Sequence, residues 1–183
     1  MIPPAKGTLL IANPFLKDPN FMRTVIFLCE HKEEGSFGFV LNKLFPKTLS
    51  ELLPEIGDDP IPLYFGGPVQ KDTIHFIHQY PDIITGGEEV FKGVFWGGNF
   101  ETVMALIKIR EIDLKKIKFF IGYSGWAENQ IEDELKEKSW LIAEATRNLL
   151  FHKNPGDIWK DSLRHLGGEY EMMINFPIDP QLN

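Results

Sequence analysis

A chain of 183 residues that is 43% hydrophobic and 13% aromatic carries enough apolar material for one core and excludes wholesale disorder. At that length about 70% of the surface exposed by the unfolded chain can be buried, so neither a disulfide nor a metal is needed for stability. The formal net charge of −7 sets a mean field that repels phosphate backbones, which disfavours direct nucleic-acid binding.

The single cysteine cannot form an internal disulfide, and no apolar run reaches the roughly 18 to 20 residues of a membrane span. No basic start leads into an apolar signal segment. The expectation is a cytoplasmic protein with no membrane partner.

The opening GTLLIAN ends its apolar run at Asn13-Pro14, so residues 8 to 12 read as a first strand. TVIFLCE, from Thr24, is apolar on both faces and suits a central strand. HKEEGS then turns the chain back into FGFVLN as an antiparallel hairpin. If its loop runs from Lys32 to Gly35, Gly38 lies opposite Cys29. Thr48 and Glu51 form a capping box for a helix that Pro54 keeps short. Further strands are expected at PLYF, TIHFIH, VFW and IKFFIGY, and Asn99 can cap a helix with Phe100, Val103, Met104 and Ile107 on one stripe. The basic stretch KIREIDLKKIK, Lys108 to Lys118, reads as a solvated helix end and connection. A helix follows Trp126 with Ala127, Ile131 and Leu135 at helical spacing, and its acidic residues read as a solvated face rather than a docking surface. WLIAEA is a late strand, and GDIWKDSLRHLGG a last helix stopped at Gly167. Interleaved strands and helices with an early hairpin give a single α/β domain over residues 1–183, with α+β character and a mixed sheet.

Cys29, Glu30 and His31 hold the ingredients of nucleophilic catalysis in a row, but on a strand Cys29 and His31 share one face and Glu30 points the other way. A thiol on an apolar strand packs rather than reacts. His75 and His78 are three apart, hence on opposite faces of a strand, and metal binding is not expected. The stronger candidate is FFIGYSGWAENQIEDEL, where a strand runs into Gly122, Tyr123, Ser124, Gly125 and Trp126 and then a helix. Such a bend would aim helix amides at a ligand and resembles a nucleophile elbow, except that Trp126 stands where the elbow needs glycine. YFGGPVQ and FWGGNFE repeat a strand end followed by a glycine pair, suited to a corner or to close backbone approach.

Taken together, GTLLIANPFLKDPNFMRTVIFLCEHKEEGSFGFVLN, YFGGPVQ, VFWGG and GYSGWAENQIEDEL, with the late tryptophan helix ending in LGG, resemble the AlgH/YqgE family of bacterial proteins over nearly the whole chain. The resemblance implies a branched, mixed sheet partly closed into a barrel and flanked by helices. Family members are often labelled transcriptional regulators, without an established enzymatic mechanism. The family pattern falls on Asp18, Phe21, Arg23, Thr24, Glu30, His31, Gly38, Asn42, Gly66, Gly67, Pro68, Gly97, Gly98, Gly122, Tyr123, Gly125 and Trp126. Similar proteins commonly carry alanine at the position of Ser124. The expectation is therefore a protein that binds a small ligand or a protein partner and regulates indirectly, with no cofactor. Its cleft would draw on Glu30, His31, Asn42, Gly66, Gly67, Pro68, Gly122, Tyr123, Ser124, Gly125 and Trp126, with the Tyr123 and Trp126 rings as a stacking wall. The alternative is a small hydrolase using Ser124 or Cys29.

Overall fold

The structure, a computed structural model, describes residues 2–178. Among the described residues there are nine strands: β1 (Thr8–Ala12), β2 (Val25–Lys32), β3 (Gly35–Val40), β4 (Leu63–Phe65), β5 (Val69–His78), β6 (Glu88–Phe91), β7 (Val94–Trp96), β8 (Ile117–Ala127) and β9 (Trp140–Glu144). The helices are α1 (Leu49–Leu52), α2 (Phe100–Lys108), α3 (Gln130–Lys136), α4 (Arg147–Leu150) and α5 (Ile158–Leu166). The sheet runs β6-β7-β5-β8-β3-β2-β1-β9, with β4 as a branch on β8. β4 and β8 run parallel, while the other strand pairs are antiparallel.

The sheet curls because it has apolar residues on both faces and must cover them separately. Inside the curl lie Leu9, Phe27, Phe39 and Phe120, joined by Val90 and Val94 of the β6–β7 hairpin and by Trp159 and Leu163 of α5. The two ends of the sheet are tied across this core by Lys6 to Glu88 at 2.6 Å and by the Arg147 guanidinium donating to the Lys92 carbonyl at 2.9 Å. The result is a half-barrel, as the resemblance implied. Outside it, α1 and α2 cover Phe76 and Phe119 with Leu49, Val103 and Ile107. Ile131 of α3 covers Leu10, Ile26 and Leu28 together with Trp126 and Trp140. The predicted caps are in place: Thr48 and Glu51 bond reciprocally, and Asn99 accepts from the Thr102 amide at 2.9 Å.

The branch at β8 sets a tight topological demand. Phe119, Phe120 and Ile121 pair with β4 along one edge and with β5 along the other. The chain leaves β4 at Phe65 and enters β5 at Val69, so Gly66, Gly67 and Pro68 must carry it across the β8 backbone. Backbone meets backbone there. The Gly66 amide donates to the Ile121 carbonyl at 2.9 Å, and its own carbonyl accepts from the Val40 amide at 2.9 Å and from Ser124 Oγ at 3.1 Å. A Cβ on Gly67 would overlap the Tyr123 carbonyl, and one on Gly122 would stand 2.5 Å from the Gly67 oxygen. Gly67 and Gly122 also take φ of 154° and 69°, a region that penalises any side chain.

Several expectations are corrected by this framework. β8 runs on through Ala127 and α3 begins only at Gln130, so Gly122 to Trp126 form no strand-to-helix bend. β6 and α4 escaped prediction. Lys118, read as part of a solvated basic stretch, is 5% exposed within β8.

Gly67→Ala is expected to destabilise the fold by about 2–4 kcal/mol, because it adds both overlap and an unfavourable φ. Urea denaturation measures this. Gly57→Ala is the matched control: Gly57 also has positive φ, 115°, but open space around its Cβ position, so its loss should be distinctly smaller.

Candidate functional site

Two changes of strand parity build a cleft on the inner side of the curl. In β2 the register slips between Leu28 and Glu30: Gly38 faces Leu28, while Glu30 faces Phe37 and His31 faces Ser36. Gly38 therefore does not lie opposite Cys29 as expected, and the bulge reverses the predicted sidedness. Cys29 points into the inner core, Glu30 stands beside Phe37 on that same side, and His31 turns outward to Ser36 Oγ at 2.7 Å and Glu132 at 3.3 Å. In β8 the positive φ of Gly122 shifts parity in the same way. Phe120 and Tyr123 both face inward, Phe120 stacked on Phe39 and Tyr123 edge-on to Phe37 and His75, each at 6.0 Å.

The resulting cleft has a volume of about 600 Å³. Phe37, Trp96, Tyr123 and Val69 supply apolar walls, with Gly125 open beneath and Glu30 and Glu34 near the mouth. The Phe37 and Trp96 rings meet edge to face at 4.7 Å, so the wall is held by aromatic packing rather than by a mobile loop. His75 completes it. Thr73 Oγ1 donates to the Gln70 carbonyl at 2.7 Å, so at 3.1 Å from His75 Nε2 it must accept, which fixes the proton on Nε2 and leaves Nδ1 as an acceptor. Burial lowers the His75 pKa from its ordinary value, so the ring is neutral at pH 7. Glu30 is paired with Lys32 at 2.8 Å, the lysine lying mostly in solvent.

The predicted residues divide between this cleft and its supports. Glu30, Tyr123, Gly125 and Trp126 line it, but the Trp126 ring is sealed at 6% exposure in the core beneath α3, its indole N–H donating to Glu134 at 3.0 Å. Trp140 donates to the same carboxylate oxygen at 2.7 Å. The expected stacking wall of Tyr123 with Trp126 therefore does not form; Phe37 and Trp96 take that role. Gly66, Gly67, Pro68 and Gly122 make the crossing described above and support the cleft from below. Asn42 is structural: its side chain accepts from the Val25 amide at 3.0 Å and donates to the Arg23 carbonyl at 2.8 Å. His31 lies on the opposite face. The second glycine pair serves His78, whose Nε2 meets the Gly97 carbonyl at 2.9 Å, so His75 and His78 do face apart.

Phe37, Val69, His75 and Trp96 were missed as cleft residues. Phe37, His75 and Trp96 lie in predicted strands, while Val69 lies upstream of the predicted TIHFIH in a longer β5; their common destination depends on the β2 bulge, on the left-handed Gly122 and on which strands neighbour β8. Neither nucleophile survives inspection. Ser124 is fully buried inside β8 and spends its hydroxyl proton on the Gly66 carbonyl. Cys29 is 2% exposed, and burial raises its thiol pKa well above the ordinary value. Among the described residues there is no cluster of three or more His, Cys, Asp or Glu suited to a metal, and no helix long and apolar enough to cross a membrane.

The family model described as AlgH-like, DUF179, matches residues 9–171. The chain belongs to the AlgH-like family. A UPF0301 protein of Chlorobium limicola is 45% identical over 177 residues, covering 97% of this chain and 95% of that protein. One of Cytophaga hutchinsonii is 41% identical over 179 residues, covering 97% and 98%. The solution structure of AlgH from Pseudomonas aeruginosa is similar with a TM-score of 0.74 at 28% identity, covering 97% of this chain and 98% of that one. A crystal structure of a Corynebacterium diphtheriae protein shares the fold with a TM-score of 0.81 at 23% identity, covering 96% and 94%. The AlgH-like half-barrel thus persists at low identity, as expected of a fold held by a crossing and a buried sheet.

A buried, protonated thiol is a slow nucleophile. Native protein exposed to a thiol-reactive chromophore such as Ellman's reagent should show negligible reaction at Cys29 over minutes and one full equivalent after denaturation in guanidinium. Rapid stoichiometric reaction of the native protein would contradict the placement of Cys29.

Proposed function

We propose that this AlgH-like protein is a binding protein of regulatory type that takes a small organic cation, an amine attached to an apolar or aromatic body, in the inner cleft. The observation that supports this is the pairing of aromatic walls with acidic side chains: Phe37, Trp96 and Tyr123 around the cavity, Glu30 and Glu34 as its charged lining residues, and a neutral His75 whose Nδ1 is an acceptor. Aromatic faces attract a cation by about 0.5–2 kcal/mol each, according to how dry the site is. Carboxylates add attraction that salt screens. The cleft's volume of about 600 Å³ suits a ligand of metabolite size.

The mode of regulation is through ligand or partner rather than through direct contact with DNA. The net charge of −7 opposes a phosphate backbone, and a cleft whose charged lining residues are the carboxylates Glu30 and Glu34 repels it. A cytoplasmic location fits this reading.

Calorimetry with phenethylamine, and with its neutral and carboxylate counterparts 2-phenylethanol and phenylacetate, tests the assignment. Phenethylamine is expected to bind, the alcohol several-fold more weakly, and phenylacetate not at all. Trp96→Ala should weaken the amine about 5- to 30-fold, equivalent to about 1–2 kcal/mol, and Glu30→Gln should weaken it and flatten its salt dependence. Preference for phenylacetate, or equal affinity in Trp96→Ala, would sink the proposal.

A further inference from the structure

A second cavity lies on another part of the molecule and shares no lining residue with the cleft. It has a volume of about 290 Å³. Lys118 of β8 lines it while being 5% exposed. Its Nζ donates to the Leu41 carbonyl at 2.7 Å and stands 4.0 Å above the centre of the Tyr64 ring, which also lines the cavity. Among the described residues no carboxylate pairs with this amine. An ammonium has three protons to place; one carbonyl and one ring face leave it short of both a donor target and a counter-charge.

Lys115 and Lys153 also line the cavity, and no acidic residue does. In a protein with a net charge of −7, three lysines around one hollow without a carboxylate form a local reversal of the mean field. The neighbouring His152 does not offset them. Its Nδ1 accepts from the Asn154 amide at 3.0 Å, so Nε2 carries the proton that it donates to Asp161 at 2.7 Å, and both nitrogens are spent away from the lysines. The rest of the lining is apolar, including Phe119 and Phe151. Burial holds the Lys118 pKa down to about 7, as expected of an amine taken out of water without a carboxylate beside it.

We propose that this second cavity binds a small organic anion, a phosphate- or carboxylate-bearing molecule with a flat apolar body, anchored by Lys118 and drawn in by Lys115 and Lys153. The anionic group supplies the counter-charge that Lys118 lacks, and the apolar body takes the place of water against Tyr64 and the phenylalanines. The site is independent of the proposed cation cleft, and either can fail alone.

Calorimetric titration of the full chain with phenyl phosphate, benzoate, inorganic phosphate and phenol tests it. Phenyl phosphate or benzoate is expected to bind at millimolar concentration or below, with inorganic phosphate and phenol each about tenfold weaker or more, since each supplies half of the recognition. Lys118→Met, an apolar replacement of similar length that removes a buried charge and so should fold, is expected to abolish binding. Lys153→Gln, at an exposed position, is expected to weaken it about threefold. Inorganic phosphate binding as well as phenyl phosphate would assign the site to free phosphate and overturn the organic ligand. Equal binding of every probe to Lys118→Met, or no binding of any probe to the parent chain, would overturn the site itself.

Discussion

Three residues must carry the chain across the backbone of β8, because β4 and β5 occupy its two edges and only Gly66, Gly67 and Pro68 separate them. A crossing this short forces main chain onto main chain, and where the two backbones touch only residues without a Cβ fit. Gly66 and Gly67 on the connection, and Gly122 beneath it, are the consequence. Once the crossing is made, the sheet is branched by construction: β8 gives its first half to β4 and β5 and its second half to β3. The long antiparallel arm β3-β2-β1-β9 then has to curl to bury its inner face, and the β6–β7 hairpin meets it from the other end.

The cleft is a by-product of the same constraint. A strand with strict alternation would send Tyr123 to the face opposite Phe120, but the left-handed Gly122 turns it to the same side. The bulge at Cys29 does the corresponding work for Glu30. The β2 bulge and the left-handed Gly122 lie side by side across β3, where Gly38 pairs with Leu28 on one edge and Ser124 on the other, so an aromatic ring and a carboxylate arrive at one rim from strands whose alternation would have separated them. Bulges next to binding sites commonly serve this purpose. On the opposite face the displaced residues find structural work: Trp126 joins Trp140 on the Glu134 carboxylate, and His31 pairs with Glu132. The acidic helix α3 thus spends its carboxylates largely on its own protein; Asp133 pairs with Lys136.

The elements were largely legible because their signals are local. Residues 8 to 12, the capping box at Thr48 and Glu51, the Asn99 cap and the stop at Gly167 depend on neighbours a few positions away, and each is found where the residues indicate. The site was less legible because its signals are parity and neighbourhood. A one-residue bulge at Cys29 reverses the faces of Glu30 and His31 without altering composition. Gly122 and Gly125 look like the glycines of a turn, yet they lie inside an eleven-residue strand. Lys118 sits among charged residues in sequence and among apolar ones in space, because β8 is the central strand. The glycine pairs were recognised as points of close approach, but that one pair crosses a strand and the other accepts a histidine proton depends on tertiary pairing alone.

The direction of the Tyr123 ring reports the crossing, the left-handed Gly122 and the cleft at once. Nuclear Overhauser contacts of the assigned Tyr123 ring protons in the native protein measure it directly. The rings of Phe37 and His75, each 6.0 Å away centre to centre, should give cross-peaks to Tyr123, and Ile131 and Leu28 should give none. Cross-peaks from Tyr123 to Ile131 or Leu28, with none to His75, would show that β8 keeps simple alternation and would contradict the account.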